Sequence, residues 1–143
     1  MTSFDIIAFD ADDTLWHYER LYVAAQANIA KLLAPYGNSE EIDAHLYRVE
    51  LGNIQLYGYG IKGFALSMIE AAIGFSEGRI SGSEIHTLIG YAREMLTAKI
   101  QLLEHVTETI SGLSPRYRLM IFTKGDLYEQ ETKISCSGLG QYF

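Results

Sequence analysis

Two short apolar runs, Phe4–Phe9 and Arg118–Thr123, stand at opposite ends of this chain, and residues 10–117 between them are patterned almost wholly as helix. Each run is brief, apolar and bounded by polar residues, the pattern of a strand buried in a parallel sheet. Parallel strands cannot be joined by a tight turn and need a crossover. A crossover this long and this helical reads as a helical domain inserted between two strands of one core. The expected fold class is therefore α/β, a partial parallel-stranded core carrying an all-helical insert. The expected boundaries are 1–17 with 112–143 for the core and 18–111 for the insert.

The helices are legible from their ends. Leu21, Ala24, Ala25, Ile29, Leu32 and Leu33 recur at helical spacing over 20–34, and Pro35 and Gly37 stop that run. Asn38 with Glu41, and Ser81 with Glu84, are capping pairs that open helices reaching about residues 55 and 98. A helix over 62–73 follows the loop Tyr57-Gly58-Tyr59-Gly60, and a shorter one over 104–113 ends before Pro115. Asp126 caps the last helix, and Gly138 is its C-terminal stop.

Composition narrows the function. With 48% apolar and 20% charged residues in 143, the chain has the material for a core and is not a disordered segment. Its net charge of −7 argues against nucleic acid and anionic membrane as partners, since both need clustered Lys and Arg. An anionic substrate would have to be drawn by local positive charge or a metal. The one cysteine, Cys136, allows no internal disulfide and is expected as a small buried residue. No basic segment precedes the first apolar run, and no stretch is long enough to span a bilayer, so the expected location is the cytoplasm.

Chemistry is expected where the strands end, because parallel α/β sheets bind ligands at the strand carboxyl ends. The first run delivers Asp10, Asp12, Asp13 and Thr14 there, and the second delivers Thr123, Lys124 and Asp126. Three carboxylates in four residues repel one another and are costly to desolvate. Capping one helix needs only one of them, so the others point to a cation or to catalysis. His45, His86 and His105 are scattered without metal-ligand spacing. His17 is expected to face solvent near the start of the insert.

Phe9-Asp10-Ala11-Asp12-Asp13-Thr14-Leu15 resembles the first motif of the haloacid dehalogenase-like (HAD) hydrolases, an apolar strand followed by D-x-D-x-T-[LV]. Leu119-Met120-Ile121-Phe122-Thr123 resembles their second motif, the helical insert looks like their cap domain, and Gly138-Leu139-Gly140-Gln141-Tyr142-Phe143 looks like the stretch after the second motif in many members. The likeness covers the whole chain. The family's third motif, a lysine, and its fourth, an acidic pair, are absent, and the sequence stops where a third core strand should begin. The chain thus resembles the N-terminal part of such a hydrolase.

The resemblance implies roles for the matched residues. Asp10 is the nucleophile, forming an aspartyl-phosphate that splits one hard displacement into two easier ones. Asp12 is the general acid and base, a function that contributes about 10²–10⁴-fold. Its presence favours phosphate esters, since dehalogenases of the family generally lack it. Mg²⁺ bridges Asp10 and the phosphate with the backbone carbonyl of Asp12 as a further ligand, so the metal residues are Asp10 and Asp12. Thr123 binds phosphoryl oxygens with the turn that follows, and Lys124 approaches the phosphate. Lys133, about two turns into the last helix, is expected to lie away from the site. The implied reaction is Mg²⁺-dependent hydrolysis of a small phosphorylated metabolite under a specificity-setting cap. The alternative is a catalytically incomplete fragment acting as an interaction module. Two strands alone leave open edges, so the expected state is a homo-oligomer or a core completed by a missing C-terminal part. A phosphoacceptor signalling domain shares the acidic strand end but has no place for the helical insert.

Overall fold

The computed structural model describes residues 4–143 of the chain. The elements run in the order β1 (Ile6–Phe9), α1 (Glu19–Leu33), α2 (Ser39–Tyr57), α3 (Ile61–Phe75), α4 (Gly82–Leu96), α5 (Val106–Leu113), β2 (Arg118–Ile121) and α6 (Leu127–Ser137), followed by a 3₁₀ turn at Gly140–Tyr142. The expected fold class holds: a parallel pair of strands with helices inserted between them. Residues divide into two compact units, one made of the residues up to Arg20 together with Lys99–Phe143, the other of Leu21–Ala98.

In the strand-bearing unit β1 and β2 pair in parallel, with Ile7 beside Leu119 and Phe9 beside Ile121. Alternation along each strand sends these four toward the core and leaves Ile6, Ala8, Arg118 and Met120 on the outer face. The core gathers Ala11, Leu15, Trp16, Val106, Ile110, Leu119 and Leu139. The contacts thus draw the unit boundary inside the 18–111 read from the sequence. Residues 99–111 group with the strands, because Leu102, Leu103, Val106 and Ile110 turn their apolar side to that core. The backbone ties them there as well. The N–H of His17 donates to the Gln101 carbonyl at 2.9 Å, and that of Leu103 to the Leu15 carbonyl at 3.1 Å. The segments leaving for the insert and returning from it therefore run side by side.

The Leu21–Ala98 unit is a helical layer centred on α3. That helix carries apolar residues around most of its girth and buries Ile61, Phe64, Met68, Ala71 and Ala72. Its neighbours are amphipathic, with buried stripes at Ala25, Ile29 and Leu33 on α1 and at Leu88, Ala92 and Met95 on α4. Gly63 leaves little room for a side chain, since a Cβ there would sit 3.0 Å from the Gly58 carbonyl oxygen. Buried Asn53 is satisfied by donating to Ser67 Oγ at 3.2 Å and to Glu70 at 2.7 Å. Both expected caps form. Asn38 accepts from the Glu41 N–H, and Ser81 and Glu84 make a reciprocal capping box, a device worth about 1 kcal/mol. The hydroxyl and N–H of Ser81, with the Tyr36 hydroxyl, hold the Glu84 carboxyl below the ordinary carboxylate range. Tyr47, Tyr57 and Tyr59 are exposed.

Candidate active site

The site residues stand where the strands end. The N–H of Phe122 donates to the Phe9 carbonyl at 2.8 Å, one step past the named strands, so Asp10 and Thr123 leave the sheet at the same end from adjacent strands. After Asp10 the chain folds into a tight turn. The Leu15 and Thr14 N–H groups both donate to the Ala11 carbonyl, and Asp13 takes a left-handed φ of 57°. Ala11, Leu15 and Trp16 are buried, so the turn is pinned by its apolar members while its carboxylates project from it.

The three carboxylates do three different things. Asp10 is exposed, and among the described residues its carboxylate has one hydrogen-bonding partner, the Thr14 hydroxyl, at a long 3.5 Å. Asp13 caps α1, its carboxylate accepting from the N–H groups of Tyr18 at 2.8 Å and of Glu19 at 3.0 and 3.1 Å. Asp12 turns the opposite way and is held by three side chains. Oδ1 accepts from the Trp16 indole N–H at 2.7 Å and from Lys133 Nζ at 2.7 Å. Oδ2 accepts from Lys133 Nζ at 2.9 Å and from Gln130 Nε2 at 2.9 Å.

Lys133 corrects the sequence reading, which placed it away from the site. Its position in α6 is indeed one to two turns in, but Cα–Cβ bonds tilt toward the helix N-terminus, here the strand end, and a lysine stem adds further reach. Gln130 and Lys133 are three apart, one above the other on the same helix face, and both meet Asp12. The ammonium lies 3.6 Å from the centre of the Tyr18 ring and 3.6 Å from Glu129 Oε1. The Tyr18 hydroxyl closes the circuit by donating to Glu129 Oε1. Trp16, Gln130 and Lys133 therefore hold Asp12, and Tyr18 and Glu129 stand against Lys133; Glu129 and Gln130 are the members of this group that the sequence reading does not single out. The one available signal was polar residues at helical spacing, Glu129, Gln130 and Lys133, on the side of α6 that had to be inward.

The remaining expected residues fall as follows. Thr123 is partly buried, with its hydroxyl 3.4 Å from the Lys124 carbonyl, and Lys124 is exposed while its carbonyl accepts from Gln130 at 2.7 Å. Asp126 caps α6 as expected, accepting from the Glu129 N–H at 3.0 Å. His17 is exposed. Cys136, expected to be buried, is exposed. The inward arc of α6 runs through Glu129, Lys133 and Gln130 to Ile134, and Cys136 falls just outside it beyond Glu129.

Among the described residues no three His, Cys, Asp or Glu side chains converge to hold a metal ion. Asp12 and Asp13 already have their partners, which leaves Asp10. Mg²⁺ commonly takes one or two carboxylates and completes its shell with water and substrate phosphate. That donor set fits such a cation at Asp10 and does not fit an all-protein cage.

The chain is similar in structure to a haloacid dehalogenase-like family hydrolase from Xanthomonas campestris, at 37% identity and a TM-score of 0.92, over 98% of this chain and 59% of that one. It shares its fold with the HAD-hydrolase YfnB from Bacillus subtilis, solved bound to magnesium, at 20% identity and a TM-score of 0.61, over 99% of this chain and 63% of that one. L-2-haloacid dehalogenase from Xanthobacter autotrophicus, solved with chloropropionic acid covalently bound, matches in fold at 16% identity and a TM-score of 0.53, over 99% of this chain and 55% of that one. The chain thus spans less than two thirds of the length of each. No family model and no curated protein matches it.

Proposed function

We propose that this chain, 37% identical to a haloacid dehalogenase-like family hydrolase over 98% of its own length, is a member of that family and carries the nucleophile and the acid–base group of a Mg²⁺-dependent phosphohydrolase acting on a small phosphomonoester. The observation that supports this most is the opposite treatment of two carboxylates two residues apart. Asp10 is left exposed with one distant hydrogen-bonding partner among the described residues, as an attacking group must be, while Asp12 is gripped by Trp16, Gln130 and Lys133.

In this reading an Asp10 oxygen attacks phosphorus, the ester oxygen leaves, and Asp10 becomes an aspartyl-phosphate. Asp12 delivers the proton that the leaving oxygen takes up. It then removes one from the water that attacks the phosphorus and frees Asp10. Thr123, with the N–H groups of the turn after it, binds the phosphoryl oxygens, and Lys124 adds positive charge at the mouth. The Asp10 carboxylate and the Asp12 backbone carbonyl would hold Mg²⁺, which would supply charge neutralisation on the phosphate when bound.

A carbon–halogen bond poses a different demand, because a departing halide needs no proton. A carboxylate built in at position 12 therefore favours a phosphate ester. The test offers the chain an aryl phosphate and 2-chloropropionate, each with and without Mg²⁺. Phosphate release that needs Mg²⁺, with no chloride release, is the expected result. Chloride release independent of Mg²⁺ would reverse the assignment.

A second reading, self-association through the sheet, is favoured by one observation. The outer sheet face exposes Phe4, Ile6, Met120 and Phe122, with Phe122 80% exposed, and among the described residues the sheet has only two strands. Apolar faces beside open strand edges invite pairing with another chain. Sedimentation equilibrium of the 143-residue chain at micromolar concentration is expected to show a dimer or larger species, shifted toward monomer by Met120→Lys with Phe122→Ser. A monomer for the unmutated chain would remove this reading.

A further inference from the structure

We propose that Lys133 is the positioning residue of Asp12, fixing the rotation of its carboxylate through a buried ammonium; the functional half of this inference rests on Asp12 being the acid–base group. The placement is unusual for a lysine. Lys133 is 6% exposed, and its ammonium meets both Asp12 oxygens, at 2.7 and 2.9 Å. A buried charge is tolerated only when paired and hydrogen-bonded. Here Asp12, Glu129 at 3.6 Å and the face of the Tyr18 ring supply the compensation. An ammonium has donors only, and one that spans both oxygens of a carboxylate fixes its rotation.

The rest of α6 is arranged around the same carboxylate. Gln130 is turned so that its Nε2 serves Asp12 and the Lys124 carbonyl, and its buried Oε1 is left without a hydrogen-bond partner. Gly125, at φ 128°, makes room for it, since a Cβ there would lie 2.9 Å from Gln130 Nε2. One unpartnered acceptor and one glycine are thus accepted to keep donors on Asp12. Without Lys133, Asp12 would lose two of its four hydrogen bonds, one at each oxygen, and would turn away.

The chain contains its own reporter. Trp16 is the single tryptophan, and its indole N–H donates to Asp12 Oδ1 at 2.7 Å. A ¹⁵N-labelled chain therefore gives one indole resonance, and its shift reads that hydrogen bond. Asp12→Asn is expected to displace the resonance, because the acceptor loses its charge. Lys133→Met is expected to displace it as well, Lys133→Arg to hold it near its original position, and Lys133→Met with Asp12→Asn to match Asp12→Asn alone. Where Lys133→Met loses the dispersed amide spectrum of a folded chain, Lys133→Gln, which keeps a donor without the charge, is read in its place. An indole that stays put in Lys133→Met or Lys133→Gln, or in Asp12→Asn, overturns the proposal.

A second arm ties this to turnover. On an aryl phosphate Lys133→Met is expected to lower kcat about 10²-fold with KM changed less than about twofold, and to add nothing to the loss caused by Asp12→Asn. Independent, multiplying losses would refute the positioning role. A wild-type chain that hydrolyses nothing counts against the hydrolase reading, and the indole series still decides the part played by Lys133.

Discussion

Asp10→Asn is expected to lower Mg²⁺-dependent aryl phosphate hydrolysis by a factor on the order of 10⁶, the scale of losing a covalent nucleophile. The amide is close in shape to the carboxylate but cannot form the phosphoenzyme and is a poor partner for a divalent cation. The fold should hardly respond. Asp10 is exposed, and its one hydrogen-bonding partner among the described residues is the Thr14 hydroxyl at 3.5 Å. A surface change of this kind stays within about 0.5 kcal/mol. The contrast with Asp12→Asn sharpens the test. That substitution leaves the buried Lys133 ammonium without its carboxylate, so activity and stability should fall together. Paired measurements of hydrolysis and chemical denaturation on the two variants separate the roles. If Asp10→Asn keeps more than about one hundredth of the turnover, the reaction does not run through this carboxylate.

Much of this architecture was legible because it is local. The apolar runs at 4–9 and 118–123, the capping pairs Asn38/Glu41 and Ser81/Glu84, and the stop at Gly138 are written in a few adjacent residues each; the caps and the stop form, and the runs form strands over 6–9 and 118–121 that are buried on one face only, since Ile6 and Met120 are exposed. The long crossover already implied that the two strands would lie parallel. What was not legible depends on direction in space. Counting helical turns from the strand end puts Lys133 away from the site, yet α6 aims its side chains back toward that end. The turn at 10–16 was readable as acidic but not as divided, because nothing in Asp10-Ala11-Asp12-Asp13 says which carboxylate turns to α6 and which to α1. Residues 99–111 show an apolar side in sequence, but periodicity alone does not name the partner, and Val106 and Ile110 chose the strands over the insert.

Trp16→Ala is expected to be the most destabilising single change in the strand-bearing unit. Trp16 is fully buried at 0% exposure, within the cluster that also holds Leu15, Val106, Ile110 and Leu119. Truncating a buried large aromatic typically costs about 3–5 kcal/mol, through lost transfer energy and the cavity left behind. Here the indole also donates to Asp12 and its backbone bridges to Leu102, so the damage passes from the core to the site and to the returning segment. Against a total of about 5–15 kcal/mol for an ordinary domain, that loss leaves little or no margin. Trp16→Phe separates the two contributions, because it keeps much of the apolar volume and removes only the donor to Asp12. Denaturant titrations should therefore rank the wild type above Trp16→Phe and Trp16→Phe well above Trp16→Ala. Near-equal stability of Trp16→Phe and Trp16→Ala would mean that the indole hydrogen bond, and not burial, is what anchors the acidic turn at 10–16.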